Sequence, residues 1–330
     1  MKKLLLTSAL AGSLLVSVSA SAEMKVKGYV ETTFGSGETP ATTAQVNQGT
    51  TIGYETGVTF SGTKELDNGM SMSTKATLED NVFKNQAMSF SSDRTTVFIG
   101  QDYHGLDDKQ TVPVVANAIE DGNKGLGVSY NNNAATIHAY NGVGVMNKSD
   151  MGTVAAYYVP KTSSTTDSDS NPSAQAKTGS GTSIGFQGGF GIEGLGTNIF
   201  RTVRTTSGTS SQEITMTGLG VKYTMGSISV GAQKTKVDDA NLAEAFTVGT
   251  DSEYTSYGAT FAASDNLSVG IQYGETELST AVEDEEVLSA TVGYNLGGQV
   301  VSVQYTKVEN ADTTLGSDGD AIELRIKSAF

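Results

Sequence analysis

The sequence predicts an all-β chain, a transmembrane antiparallel β-barrel with short turns at one end and long loops at the other. Three observations predict it. Side chains alternate with a period of two along most of the chain, and the helical period is nearly absent. Short turns rich in Gly and Asn alternate with long polar connections. The polar face of each strand is too polar for a dry core, because each unpaired buried polar group costs on the order of 1–3 kcal/mol.

The first element is not a strand. Lys2 and Lys3 form a charged start, Leu4 to Val18 is mostly apolar, and Ala20-Ser21-Ala22 supplies small residues for cleavage. Residues 1–22 therefore read as a secretory signal peptide. The apolar run is too short and too rich in Ser for a good membrane helix. Residues 23–330 then form one domain beginning at Glu23.

The strands follow in order. Met24, Val26, Val30 and Phe34 alternate with Lys25, Lys27, Glu31 and Thr33. Ile52, Tyr54, Val58 and Phe60 alternate with Thr51, Glu55, Thr59 and Ser61, and Met70, Met72, Ala76 and Leu78 with Ser71, Ser73, Lys75 and Glu79. Leu267 to Tyr273 and Leu288 to Leu296 repeat the pattern, and the last strand sets Ile322, Leu324 and Ile326 against Glu323, Arg325 and Lys327. About ten residues per strand suffice to cross a hydrocarbon layer at a tilt.

Tight turns fall at Leu66-Asp67-Asn68-Gly69, Met225-Gly226, Ser264-Asp265-Asn266 and Leu296-Gly297-Gly298. Longer polar stretches run from Gly35 to Gly49, Lys161 to Thr182, Asp238 to Asp251, Glu277 to Glu285 and Glu309 to Gly319. A soluble sandwich has no reason to gather its long loops at one end; a membrane barrel has short periplasmic turns and long extracellular loops. Closure also removes the strand edges that invite aggregation.

Composition excludes several function classes. The 330 residues contain no Cys, which rules out a disulfide scaffold, a thiolate metal site and a Cys nucleophile. With 36 acidic against 21 basic side chains the formal charge is −15, the wrong sign for a nucleic-acid binder. A mean hydropathy of −0.20 leaves no room for several helical spans. No cofactor or metal site is expected. Asp318-Gly319-Asp320 lacks the spacing of a calcium loop, and Gly188-Gly189-Phe190-Gly191 lies in a strand pattern rather than at a helix start. The two histidines, His104 and His138, stand among so many Ser residues that proximity carries no catalytic signal, so no enzyme is expected.

Four stretches resemble the general, non-specific porins of Gram-negative bacteria, 16-stranded trimeric outer-membrane proteins. They are Met24 to Tyr29, Thr50 to Leu78 with its Leu66-Asp67-Asn68-Gly69-Met70 turn, Arg94 to Gly100 followed by His104-Gly105, and the terminal Phe330 behind Ile322, Leu324 and Ile326. The resemblance implies a homotrimer in the outer membrane among lipid and lipopolysaccharide. It also implies a C-terminal strand, ending at Phe330, read by the barrel-assembly machinery. Ser328 departs from the large apolar residue usual before that terminus. Pattern alone counts 17 strands, and the surplus lies between Asp102 and Asp150; the resemblance implies 16.

The resemblance further implies a third loop folded into the barrel, offering carboxylates opposite a basic strip on the wall. Pro113 to Lys124 corresponds to that loop, with Glu120 and Asp121 as its acidic pair. Alternation points Lys25, Lys27, Lys75, Arg94, Arg325 and Lys327 inward, with Glu31, Glu55 and Glu79 on the same face. The first and last strands of a closed barrel are neighbours, so Lys25, Lys27, Arg325 and Lys327 are expected to cluster. Charged strips at a constriction set ion selectivity. The expected function is passive diffusion of small hydrophilic solutes and ions. Two other readings stay open. A substrate-selective channel would need a ladder of inward aromatics, of which Tyr29 and Tyr140 are too few, and a β-rich surface adhesin would have no pore.

Overall fold

The computed structural model describes residues 23–38, 49–79, 82–100, 112, 141–160, 180–205, 213–238, 251–279, 281, 283–310 and 318–330. The proposed signal peptide, residues 1–22, lies outside them. Every regular element among these residues is a strand. The first half comprises β1 (Glu23–Glu38), β2 (Gly49–Glu65), β3 (Ser71–Glu79), β4 (Val82–Ser91), β5 (Thr95–Gly100), β6 (Gly142–Ser149), β7 (Gly152–Val159) and β8 (Gly181–Gly188). The second comprises β9 (Leu195–Thr205), β10 (Glu213–Met225), β11 (Ile228–Asp238), β12 (Ser252–Ala262), β13 (Leu267–Leu278), β14 (Glu285–Asn295), β15 (Gln299–Glu309) and β16 (Gly319–Ala329).

Each strand pairs antiparallel with the next and β16 pairs with β1, closing the barrel. β5 pairs directly with β6 and the ladder closes at 16 strands among the described residues, one fewer than the pattern count. Connections at the end holding Glu23 and Phe330 are short: 66–70, 92–94, 150–151, 189–194, 226–227, 263–266 and 296–298. Those at the other end run from six residues upward, apart from 80–81. Gly69 and Gly226 sit in the tight turns at φ of 78° and 59°, where a side chain would be strained. Gly188-Gly189-Phe190-Gly191 is a correction: it closes β8 and forms the turn to β9, with Phe190 itself at φ of 53°.

Alternation sorts the wall into two faces. In β14, Glu285, Val287, Ser289 and Thr291 are buried on the inner face, while Leu288, Val292 and Tyr294 are exposed on the outer one. Inner hydroxyls and amides bond across the ladder: Ser183 to Thr202 at 2.9 Å, Ser289 to Thr306 at 3.3 Å, and Thr291 donating to Gln304 Oε1 at 3.2 Å. The outer face presents Ile52, Tyr54, Leu219, Ile271 and Ile322. With no water in a bilayer to hydrogen-bond strand backbone, a closed ladder is what makes this outer face compatible with lipid.

The expectation of a polar inner face along the whole chain is corrected on a wide arc, and again at the buried pair Val287 and Val308 of β14 and β15. From β5 to β11 the inner positions Phe98, Met146, Ala155, Phe200, Ile214, Met216 and Val237 form a buried apolar cluster, with Tyr157 against it. Phe98 and Tyr157 stack with ring centroids 5.6 Å apart. Three inner aromatics lie over a glycine directly opposite on the next strand: Tyr29 over Gly57, Phe98 over Gly144 and Phe200 over Gly218. A Cβ built on these glycines would stand 2.2, 2.1 and 2.1 Å from the ring, so each ring occupies the volume a side chain would need. The aromatic shields the bare backbone and pins the register of its strand pair.

Candidate functional site

Among the described residues, the inner wall where β16 meets β1 carries the densest charge. β1 runs between β16 and β2, so Glu31 has Lys327 on one side and Glu55 on the other in the ladder. Arg325, opposite Thr33, reaches diagonally and forms an ion pair with Glu31 through its Nε and the Glu31 Oε1; both side chains are 5% exposed. Lys327 Nζ stands 3.5 Å from Glu31 Oε2 and 4.7 Å from the centre of the Tyr29 ring. The Tyr29 hydroxyl donates to Glu55 Oε1, and Glu79 follows one strand further, opposite Gly57. Glu31 thus carries two cations, and Glu55 is held by the Tyr29 hydroxyl.

Lys25 and Lys27 do not join that group. The β1–β16 ladder ends at Tyr29 opposite Ala329, so both lysines lie beyond it toward the end with the short turns. Lys25 there pairs with Glu23 at 2.9 Å, both well exposed. The expected four-cation cluster is therefore a pair, Arg325 and Lys327, held by Glu31. Lys75 is inward and exposed, and a single residue, Ser61, separates it from Lys25 across the ladder. Arg94 is corrected from strand to turn: β5 begins at Thr95, and Arg94 is exposed in the 92–94 connection, its carbonyl accepting from Lys148 N at 2.8 Å.

Phe330 closes the seam. Its N–H and carbonyl exchange hydrogen bonds with Gly28 at 2.9 and 2.8 Å, and its ring lies where a Gly28 side chain would stand, 2.5 Å from an ideal Cβ.

One contact crosses the interior. Val112, in the connection between β5 and β6, is 3% exposed, and its Cγ1 lies 2.4 Å from where a Cβ of Gly258 would be. Gly258 is on the inner face of β12, in register with Gly231 and Gln272. The chain leaving β5 therefore reaches a strand far around the barrel. Sequence reasoning missed this pair; the signal available was an inner glycine with no aromatic partner. Glu120, Asp121 and the rest of Pro113 to Lys124 lie outside the described residues, as do His104, His138 and Tyr140.

The model of the Gram-negative porin family matches residues 7–314. This chain belongs to the Gram-negative porin family. No curated protein matches the porin's sequence. Among solved structures it resembles OmpT of Vibrio cholerae, with 16% identity over 95% of this chain and 99% of that one and a TM-score of 0.65. It is similar as well to the anion-selective porin from Comamonas acidovorans, with 14% identity, 94% and 100% covered and a TM-score of 0.67. OmpF of Salmonella typhi matches at 11% identity, 94% and 98% covered, with a TM-score of 0.66. At these identities the neighbours establish the fold. Family and fold together make the porin an outer-membrane channel for passive diffusion of solutes.

Proposed function

We propose that this porin is a general channel for small hydrophilic solutes and ions rather than one selective for a single solute. In this reading the connection between β5 and β6 folds inward to set the bore, with Glu120 and Asp121 facing the charged wall of Glu31, Glu55, Glu79, Lys75, Arg325 and Lys327. The contact of Val112 with Gly258 carries the inward fold. The inner aromatics favour the general reading: Phe98 and Phe200, at 1% and 4% exposure, are covered and offer no stacking ladder to a passing solute. A homotrimer, cleavage of residues 1–22 and recognition of the Phe330 strand by the barrel-assembly machinery belong to the same proposal; one V. cholerae OmpT structure is described as a trimer.

The porin has no Cys, which makes the test direct. Val112→Cys combined with Gly258→Cys cross-links on oxidation and leaves an open channel whose permeability falls smoothly with solute size. A pair that never cross-links refutes the inward fold. Saturable binding of one solute class refutes the general channel.

A further inference from the structure

The outer face of β11–β16 keeps charge close to the long connections. Lys236 and Asp238, Glu253, Glu275 and Glu277, Glu286, Lys307 and Glu309 all point outward near the ends of their strands. The outward lysines are neutralised. Lys234 pairs with Glu253, Lys236 with Asp238 at 2.6 Å, and Lys307 with Glu309.

Arg201 breaks this arrangement. It points outward from β9 between Ile199 and Val203, opposite Ile184 of β8 and Thr217 of β10. Val203 separates it from the strand's loop end, so the guanidinium is rooted inside the apolar belt. Among the described residues no carboxylate pairs with Arg201. It also lines a groove of about 430 Å³ on the outer wall, with Val97, Val143, Val145, Tyr158 and Ile184. The small outward side chain of Ala156 leaves room at the floor of that groove.

We propose that this groove binds one phosphate-bearing lipid of the outer leaflet, its acyl chain along Val97, Val145 and Ile184 and its phosphate on Arg201. A cation on a lipid-facing strand is unfavourable unless an anion meets it. A guanidinium matches two phosphate oxygens at once, and its root below Val203 lets it reach up toward the headgroups. The long-connection end is the extracellular one, which selects the outer leaflet. The proposal rests on the outer face meeting lipid, and its test is separable from channel function because Arg201 faces away from the bore.

The experiment is native mass spectrometry of the full barrel in detergent with three probes: lipid A carrying its phosphates, the same lipid dephosphorylated, and inorganic phosphate. Phosphorylated lipid A is retained by the unmodified barrel. Arg201→Gln lowers that retention about ten-fold, the worth of one strong charge-assisted contact. Arg201→Lys keeps part of it, and Ala156→Phe, which fills the floor, lowers retention of both lipids. Single-channel conductance stays unchanged in all three variants. Equal retention by Arg201→Gln, equal retention of the dephosphorylated lipid, or binding of inorganic phosphate alone overturns the proposal. So does dissociation of an oligomer by Arg201→Gln, which would assign the groove to a second copy of the chain.

Discussion

Arg325 of β16 forms an ion pair with Glu31 of β1 across the seam where the barrel closes, and both side chains are almost wholly buried. Lys327 shares the same carboxylate. Glu31 therefore silences two cations that would otherwise colour the inner wall. Glu31→Gln leaves a buried guanidinium unpaired and lowers stability by about 3 kcal/mol, read from urea unfolding of the folded barrel. It also shifts the reversal potential under a salt gradient toward anions. Adding Arg325→Met to Glu31→Leu recovers most of the stability lost in Glu31→Gln, since an apolar pair of similar volume replaces a buried charged one at little cost. A reversal potential unmoved by Glu31→Gln takes this cluster out of the selectivity of the pore.

The seam has a second lock at Gly28, whose missing side chain makes room for the Phe330 ring. Gly28→Leu places atoms in that ring and displaces the last residue of the chain from its two backbone hydrogen bonds. Folding yield, scored by the mobility difference between heated and unheated samples in gels, falls in Gly28→Leu. Gly28→Ala falls less, and neither variant changes the conductance of molecules that do fold. Normal yield in Gly28→Leu would mean that the Phe330 ring is not part of closure.

Much of this architecture was legible in the alternation of side chains. The strands whose inner face is polar, β1–β3 and β13–β16, show opposite chemistry at adjacent positions, so their inward residues followed from parity alone. Thr95 to Gly100 and Gly142 to Met146 have apolar residues on both faces, because Phe98 and Met146 turn inward into the apolar arc. Period two then carries no contrast along Gly142 to Met146, inside the stretch from Asp102 to Asp150 where the pattern count runs one strand over. Arg94 was misplaced for a different reason. Its backbone adjoins a strand-like run, and only the pairing of β5 with β6 shows that the ladder starts one residue later. Contacts such as Val112 with Gly258 join distant strands and leave no periodic mark at all.

The arc itself is a source of stability. Phe98 is 1% exposed, stacks on Tyr157 and covers Gly144. Phe98→Ala removes the ring and uncovers the glycine, and costs about 3–5 kcal/mol by urea unfolding. Gly144→Val alone overpacks the same volume and costs about 1–3 kcal/mol. Combining Phe98→Ala with Gly144→Val costs less than the two single effects added, because the valine enters space the ring has left. Strict additivity would show that ring and glycine do not share one volume.

Lys75 and Arg94, read alike in the sequence, differ in their effect on ion flow. Lys75 projects from the middle of β3 onto the inner wall with a free face, whereas Arg94 sits in a short turn at the rim, exposed to bulk salt. A unit charge about 8 Å from a passing ion contributes about 0.5 kcal/mol in water, roughly a two-fold change in a permeability ratio. At physiological salt the same charge at the rim is screened within about 8 Å. Lys75→Gln therefore moves the reversal potential toward cations by an amount matching that two-fold change, and Arg94→Ser leaves it where it was. Raising the salt from about 0.1 M to 1 M, where the screening length falls to about 3 Å, shrinks the Lys75 effect. If Arg94→Ser shifts selectivity as much as Lys75→Gln, the rim rather than the inner wall controls the ions.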